Sequence, residues 1–368
     1  MILKVFSDQA VTREGYRYSL NSILKSQWND RSSEERRRVY GKWVDLFEYT
    51  PEIKEADICL LTYQWNYYVE NDRVAEAAAE AEVARPAGKP LVIFCGGDFP
   101  ARLPFDNVIL FEFAGYRSDP GFVYHSAQPT ALNDYVREYC AGTLKLREKQ
   151  EIPVVGFCGQ ASTSPLQTAW RRLRLAKCRF DYEHGRSRWE PPPFETTAFR
   201  ARVLRAFEKP GIRTNYLARR QYQAGKSKTL TDQSKERIEF VRNILESDYT
   251  LCMRGGGNYS VRFYETLCLG RIPVFIDTDC LLPFQDMIDY KSIFPWIDAG
   301  DLPHAAEYLR DFHAKLTNDE FIDLQKICRS LWIKHMTPDG FYSNLHTKLR
   351  ELLTFNDIPI NFCHHRNA

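Results

Sequence analysis

The residues best suited to chemistry lie in one segment of the chain, residues 249–279. A short apolar run, Tyr249–Met253, predicts a strand and is followed by the glycine-rich turn Arg254–Gly257. Glycines allow a backbone to bend sharply or to approach a ligand closely. Asn258 or Ser260 can cap the helix that follows, and Gly270 can end it. The segment therefore predicts a strand, a turn, a helix and a second strand.

The start of this helix has the chemistry of a phosphate site, because its free N–H groups and positive dipole end attract anions. Asn258, Arg262 and Glu265 fall near one helix face, so their side chains can point the same way. A diphosphate at the helix start, with the Glu265 carboxylate in reach of ribose hydroxyls, suits a sugar nucleotide. A plain packing unit is the alternative interpretation, since glycines alone are a weak signal and a helical glutamate is usually a solvated charge.

Composition limits the class of protein. The chain has 368 residues, 44% of them hydrophobic, with a formal net charge of +2, which describes a globular protein and argues against a nucleic-acid partner. Its ten cysteines show neither CxxC pairs nor Cys/His clusters, so we expect no metal site, no cofactor and no disulfide framework. Polar residues begin too early in the N-terminal sequence for a signal peptide, and no apolar run approaches the roughly 18 residues that span a bilayer. We expect a cytoplasmic protein.

Strands and helices alternate along the chain, which predicts α/β domains with mostly parallel sheets. In the first part we predict strands at Ile2–Phe6, Asp57–Thr62, Pro90–Cys95 and Val108–Phe113, and a helix at Arg73–Ala84. The charged stretch Lys145–Gln150 is a plausible linker.

A second α/β unit begins with the buried-type strand Pro153–Gly159. Predicted helices follow at Pro165–Ala176, Thr196–Phe207, Gln233–Glu246, Pro303–Ala314, Asp319–Lys334 and Gly340–Leu353. We therefore predict an N-terminal domain at 1–150, a C-terminal nucleotide-sugar-binding domain at 151–340, and a C-terminal helix and tail at 341–368. Two such domains in tandem form a cleft, where ligands tend to bind.

Positive charge is concentrated between Arg171 and Lys228, where 16 lysines and arginines face five acids, a net charge of +11. Such a patch can attract an anionic donor, an acidic glycan or a phospholipid surface, so a peripheral membrane contact is a further candidate. Solvated helix faces account better for most of these residues.

The segment 247–284 resembles the C-terminal signature of exostosin-like glycosyltransferases. In that family an S-x-[FY]-x-L-C strand precedes a glycine loop, an R-x-x-E helix, a G-x-[IV]-P-V strand and an L-P-F sequence. The corresponding residues are Ser247–Cys252, Arg254–Gly257, Arg262–Glu265, Gly270–Val274 and Leu282–Phe284. Pro51–Asn66, Pro90–Asp98 and Trp332–Leu345 are similar to other parts of the family.

This resemblance implies a GT-B fold, with two Rossmann-like domains whose parallel sheets face each other across a cleft, followed by C-terminal helices. It also implies transfer of a sugar from a nucleoside diphosphate donor to a glycan or lipid-linked acceptor, with inversion and without an essential metal. Gly257 stands where retaining GT-B enzymes often carry the first of two glutamates, which favours the inverting class. Asp277-Thr278-Asp279, the one D-x-D match, is interpreted as a loop after a strand.

An inverting transfer needs positive groups for the departing diphosphate and a base for the acceptor hydroxyl. The residues assigned to the donor are Gly159, Gln160, Arg254, Gly257, Asn258, Ser260, Arg262 and Glu265. Asp98, which follows a buried strand and two glycines, is the predicted base, with Glu112 and Asp57 as rivals and ordinary turn chemistry as its structural alternative. Tyr63 and Trp65 are predicted to form an acceptor platform, although packing explains such aromatic residues equally well.

Two other classes of protein remain as alternatives. A non-catalytic nucleotide- or sugar-binding protein could use the same fold after losing its base, and neither donor hydrolysis nor transfer would then be detected. A nicotinamide-dependent oxidoreductase is disfavoured, because no G-x-G-x-x-G sequence opens a helix after an early strand.

Overall fold

A computed structural model describes residues 1–100, 103–106, 108–161, 164–219, 230–354 and 361–362 of the chain. Its two large sheets are built from parallel strands, one in each half of the chain. This architecture confirms the predicted fold class, a GT-B type arrangement of two α/β domains.

The first sheet has six parallel strands in the order β2-β1-β3-β4-β6-β7. These strands are β1 (Leu3–Phe6), β2 (Phe47–Tyr49), β3 (Ile58–Leu60), β4 (Leu91–Cys95), β6 (Val108–Glu112) and β7 (Phe122–Ala127). The short β5 (Phe105–Asp106) pairs instead with β13 (Asn361–Phe362), in antiparallel register. The helices of this part are α1 (Ser22–Gln27), α2 (Ser33–Tyr40), α3 (Trp65–Glu70), α4 (Val74–Ala84) and α5 (Tyr135–Tyr139).

The two strands at the centre of this sheet, β3 and β4, are apolar along their whole length because both faces of the sheet are covered. Val92 and Phe94 of β4 lie in one core, which continues into the second half of the chain. Leu91, Ile93 and Cys95 lie in a second core on the opposite face, with alanines of α4. Alternate side chains of one strand therefore serve two cores.

The second sheet has five parallel strands in the order β12-β11-β10-β8-β9. These strands are β8 (Val154–Gln160), β9 (Arg213–Arg219), β10 (Tyr249–Cys252), β11 (Ile272–Asp277) and β12 (Trp296–Asp298). The helices are α6 (Pro165–Glu183), α7 (Thr196–Phe207), α8 (Leu230–Leu245), α9 (Val261–Cys268), α10 (Tyr290–Ile293), α11 (Ala305–Lys315), α12 (Asn318–Leu331) and α13 (Pro338–Thr354). The predicted boundary at residue 150 falls between the two sheets and stays a prediction.

The C-terminal helix α13 returns to the first domain. Its Tyr342 ring stacks on Trp43 with the ring centroids 3.9 Å apart. The Asp339 carboxylate accepts a hydrogen bond from the Trp43 backbone N–H at 3.0 Å. Residues from the end of the chain therefore help to build the N-terminal half. Within the described residues, no helix has the length and apolar character needed to cross a bilayer.

Candidate functional site

A cleft of about 670 Å³ lies where the carboxyl ends of β4, β8 and β10 approach each other. Ligands of parallel α/β sheets bind at this end of the strands. The first domain contributes Asp98, and the remaining lining residues belong to the second domain. They are Cys158, Gly159, Gln160, Thr196, Thr197, Arg200, Arg219, Glu236, Arg237, Phe240, Met253, Gly255–Gly257, Tyr259–Arg262 and Glu265.

The cleft brings together most of the residues that the sequence predicted. The predicted residues that line it are Asp98, Gly159, Gln160, Gly257, Ser260, Arg262 and Glu265. Arg254, Asn258, Tyr63 and Trp65 lie elsewhere and are described below.

Glu265 lies on α9 and is almost fully buried, with 5% of its surface exposed. Its Oε1 atom accepts hydrogen bonds from Arg237 Nη1 at 2.7 Å and from the Tyr135 hydroxyl at 3.1 Å. Burial and the neighbouring Glu265 carboxylate raise the pKa of Tyr135, so its hydroxyl stays protonated and donates. Among the described residues, both donors to the Glu265 carboxylate contact Oε1, and none donates to Oε2. A buried carboxylate fixed through one oxygen is well placed to accept hydrogen bonds from ligand hydroxyls through the other.

Arg262 precedes Glu265 by three residues, and the two side chains share one helix face. Its Nη2 atom donates to the Cys158 carbonyl at 2.6 Å, and its guanidinium lies 4.4 Å from the centroid of the Phe157 ring. Its Nε atom is buried without a partner among the described residues. The guanidinium is therefore held in place beside the end of β8, at the lining of the cleft.

Gly159 lies against this guanidinium. A Cβ atom at position 159 would come within 2.8 Å of Arg262 Nη2, and the φ angle of +156° is one that other residues rarely adopt. The end of β8 thus approaches α9 closely because residue 159 has no side chain.

The start of α9 also borders the cleft. Ser260 occupies the N-cap position, but its side chain accepts no hydrogen bond from the first turn. The helix is therefore not capped by its own serine, and its positive end faces the cleft.

Three further arginines, which the sequence analysis did not single out, border the cleft. Arg200 on α7 donates to the carbonyls of Arg254 and Gln160, at 3.2 and 3.4 Å. Arg219 at the end of β9 pairs with Glu239 on α8, and Arg237 pairs with Glu265. Arg200 and Arg219 belong to the basic stretch between Arg171 and Lys228 that the sequence analysis identified. The sequence of that stretch, however, did not distinguish these two arginines from their solvated neighbours.

Asp98 lies exposed at the end of β4 and contacts the second domain. Its Oδ1 atom accepts a hydrogen bond from the Tyr259 hydroxyl at 2.7 Å. A Cβ atom at position 257 would lie only 2.0 Å from the Asp98 carbonyl oxygen, so the glycine allows the two domains to meet here. The carboxylate of Asp98 is thereby placed at the mouth of the cleft.

The two rival carboxylates lie away from the described cleft. Glu112 is buried and its Oε1 atom lies 2.7 Å from His125 Nε2. Asp57 accepts from the Lys4 backbone N–H at 2.7 Å, before β3 begins, at the opposite end of the sheet. Neither lines the cleft.

Arg254 differs from its predicted placement. Only 3% of its surface is exposed, and its side chain turns towards the first domain. Its Nη1 atom donates to the Tyr116 hydroxyl at 3.3 Å, and its guanidinium lies 5.8 Å from the centroid of the Tyr116 ring and 5.5 Å from that of Phe194. These contacts give Arg254 a packing role between the domains instead of a place in the cleft lining.

Asn258 is fully buried and also differs from its predicted placement. Its amide nitrogen donates to the carbonyls of Gly115 and Asp279, at 3.1 and 3.0 Å, and its oxygen accepts from Thr278. The side chain is therefore occupied by protein groups, and it joins the first domain to the loop after β11.

Tyr63 and Trp65 do not form a platform in the cleft. Both are buried in the first domain, and the Tyr63 ring stacks on Tyr67 with centroids 4.0 Å apart. The Tyr63 hydroxyl accepts from the Arg13 backbone N–H at 2.7 Å. These rings belong to the second core together with alanines of α4, so they lie outside the described cleft, and the acceptor platform stays a prediction.

The chain shows local sequence similarity to plant glycosyltransferases. One stretch of 56 residues is 38% identical to probable beta-1,4-xylosyltransferase IRX10L of Arabidopsis thaliana, covering 15% of this chain and 14% of that protein. Another of 79 residues is 34% identical to a probable glucuronosyltransferase of Oryza sativa subsp. japonica, covering 21% of this chain and 18% of that protein. Both alignments therefore span less than a fifth of the relative's length.

Among solved structures, the chain is similar to a glycosyltransferase from Rickettsia africae ESF-5, with 8% identity and a TM-score of 0.36, over 96% of this chain and 99% of that one. An alpha,alpha-trehalose-phosphate synthase (UDP-forming) from Burkholderia vietnamiensis has 11% identity and a TM-score of 0.36, over 92% and 85%. Structural similarity at this level does not bear on activity. Residues 193–312 match the Exostosin GT47 domain family model, which confirms the family resemblance predicted from the sequence.

Proposed function

We propose that this protein is a glycosyltransferase that transfers a sugar from a nucleoside diphosphate donor to a glycan or lipid-linked acceptor. The observation that carries the proposal is the arrangement of Arg262 and Glu265 on one face of α9, at the cleft between two α/β domains. A guanidinium beside a helix start suits phosphate, and a carboxylate further along the helix suits ribose hydroxyls.

In this proposal the diphosphate lies between the start of α9 and the end of β8. Arg262 and Arg200 neutralise the charge that develops as the diphosphate departs, together with the backbone N–H groups near Ser260. Gly159 and Gly257 allow the backbone to approach the ligand closely. The donor ribose reaches Glu265, whose position Arg237 and Tyr135 hold.

We further propose that transfer proceeds with inversion and that Asp98 removes the proton from the acceptor hydroxyl. The carboxylate is at the cleft mouth, oriented by Tyr259. A glutamate at position 257, as in many retaining enzymes, would collide with the Asp98 carbonyl. The single-displacement route needs only the base and the stabilised leaving group, which these residues can supply.

The donor site is tested by a thermal-shift panel of UDP, GDP, dTDP, CDP and CMP with wild type, Glu265→Gln and Glu246→Gln. A ligand at 100 times its Kd adds about 2.7 kcal/mol of stability, a shift that is easily measured. We expect one diphosphate to stabilise the wild type and Glu246→Gln alike, because Glu246 is exposed after α8. Glu265→Gln keeps the shape of the side chain but should weaken binding roughly tenfold, since hydrogen bonds to a charged group are stronger.

The catalytic step is tested separately with Asp98→Asn. This variant should retain nucleotide affinity and lose on the order of 10²- to 10⁴-fold in donor hydrolysis or transfer. If no nucleotide stabilises the wild type, the proposed donor site is wrong. If a diphosphate binds but neither hydrolysis nor transfer is detected with any donor, the protein is a nucleotide-binding protein on the same fold.

A further inference from the structure

Helix α6 carries a row of large apolar side chains that project into solvent. None of the residues of this 19-residue helix is buried. Leu166, Trp170, Leu173 and Phe180 are 84%, 61%, 72% and 47% exposed. Monomeric proteins seldom leave such side chains together on the surface, so the row indicates contact with something outside the fold.

These four residues form a single stripe along the helix. Their spacing of four, three and seven residues keeps them on one face, and Lys177 falls within the same stripe. The opposite face turns towards the chain before and within α7, where Arg171 pairs with Glu195 at 3.7 Å. The stripe is therefore directed away from the protein.

Positive charge surrounds the stripe. Helix α6 contains five basic and two acidic residues, a net charge of +3. The Arg174 guanidinium lies 5.9 Å from the Trp170 ring, and the Arg186 guanidinium lies 5.4 Å from the Phe180 ring. Leucine and aromatic side chains bordered by arginine and lysine are the composition of helices that lie in a membrane interface.

We propose that α6 docks on an anionic phospholipid bilayer, with its apolar stripe among the acyl chains and its cations at the headgroups. A second copy of the chain is a poorer occupant, because it would place two sets of the same positive charges against each other. A bilayer with acidic headgroups satisfies both the apolar stripe and the charge around it.

Docking in this way would determine where the cleft lies relative to the lipid. Four residues, 161–164, separate α6 from Gln160 at the end of β8, and Gln160 lines the cleft. Docking would therefore hold the cleft mouth near the bilayer surface. This inference goes beyond the proposed function, since lipid binding does not depend on sugar transfer.

Vesicle flotation with the full-length protein tests the inference. The vesicles are phosphatidylcholine alone and phosphatidylcholine with about a third phosphatidylglycerol. The stripe variant is Leu166→Gln/Trp170→Gln/Leu173→Gln, and the matched control Val39→Gln/Ile152→Gln/Ile333→Gln removes three exposed apolar side chains elsewhere. We expect wild type and control to bind the anionic vesicles and the stripe variant to bind on the order of 100-fold more weakly.

A second variant, Arg174→Gln/Lys177→Gln, tests the electrostatic contribution without changing the apolar residues. Each cation near an anionic surface strengthens binding to it, so the loss of two cations should weaken vesicle binding roughly 30-fold. High salt should also weaken the binding of the wild type to anionic vesicles. The thermal midpoints of all variants, measured without vesicles, verify that they are folded. Equal binding of the stripe variant and the wild type, or equal binding to neutral and anionic vesicles, would overturn the proposal. A dimer that the stripe variant abolishes would assign the stripe to a second copy instead.

Discussion

The contact between Gly257 and Asp98 gives the sharpest test of how the two domains meet. In the variant Gly257→Ala, the new Cβ atom would lie 2.0 Å from the Asp98 carbonyl oxygen and 2.9 Å from its carbonyl carbon. Ordinary contacts begin near 3.4 Å, so the two backbones must separate by about 1.4 Å. Because the Asp98 carbonyl belongs to the backbone, moving a flexible side chain cannot relieve this contact. The domains must therefore open or the loop after β4 must shift.

The expected cost follows from overpacking, which typically destabilises a protein by about 1–3 kcal/mol. A backbone clash this short belongs at the upper end of that range. In a domain of this size, such a loss of stability corresponds to a fall in Tm on the order of 5–10 °C. The separation should also lengthen the hydrogen bond from Tyr259 to Asp98, which lies at the same contact. Nucleotide affinity and turnover should therefore decrease together with stability.

Gly256→Ala is the matched control. It makes the same substitution one residue earlier, and its nearest neighbour, the Phe99 ring, lies 3.7 Å from the new atom. Neither glycine has a positive φ angle, so alanine can adopt either backbone conformation. Gly256→Ala should leave the Tm unchanged or raise it slightly, because alanine restricts the unfolded chain.

Differential scanning calorimetry gives the Tm values, and isothermal titration calorimetry gives the nucleotide Kd. If Gly257→Ala and Gly256→Ala show the same Tm and Kd, the close approach of Asp98 to Gly257 does not exist in solution. The placement of Asp98 at the cleft would then lose its support.

Two further predictions concern stability. Arg271 is buried and donates to the carbonyls of Lys145 and Leu245, at 2.6 and 3.0 Å. Arg271→Met should lower the free energy of unfolding, measured with denaturant, by about 3 kcal/mol. Arg271→Lys should be nearly as unstable, because lysine lacks the planar fork of donors. A cost below about 1 kcal/mol for the methionine variant would contradict this role. Burial, with Glu112 nearby, raises the pKa of Asp119 from 3.8 to about 6 in the folded state. The folded state therefore favours the protonated carboxyl, and the stability gained from this protonation is lost as the pH rises from about 4 to 6. Asp119→Asn should match the wild type near pH 4 and exceed it by about 2 kcal/mol at pH 7, and a constant difference across this range would show that the carboxyl titrates normally.

The sequence predicted the central strands of both sheets but missed the edge strands. Predicted strands correspond to β1, β3, β4, β6, β8, β10 and β11. The missed strands β2, β7, β9 and β12 are the four outermost strands of the two sheets. A central strand is covered on both faces and has an apolar sequence, whereas β9, with the sequence RTNYLAR, has no fully buried residue. Edge strands therefore lack the signal on which the prediction relied.

Aromatic residues at the end of β3 show a different limit. The sequence cannot distinguish a sugar platform from a core, because both use the same side chains. The decision depends on α4, whose small residues Ala77 and Ala81 leave room for the Tyr63 and Trp65 rings to pack beneath it. That information lies in a tertiary contact that neither segment reveals alone.

The candidate site was predictable where one segment builds it and unpredictable where distant segments meet. Arg262 and Glu265 lie on one helix, so helical periodicity alone places them together. Tyr135, which donates to Glu265, belongs to α5, more than a hundred residues earlier, and no periodic pattern links Tyr135 to Glu265.

The relative position of the two domains depends on contacts of this second kind. Arg117 pairs with Asp277 at 2.9 Å, and its backbone N–H donates to the Asp279 carbonyl at 3.0 Å. Asn258 joins the same two loops. The sequence predicted Asp277-Thr278-Asp279 as a loop after a strand, whereas Asp277 is the last residue of β11, and it could not show that these residues bind the other domain. Because this connection is one of the contacts that hold Asp98 opposite α9, weakening it with Asp277→Asn should lower nucleotide turnover although residue 277 does not line the cleft.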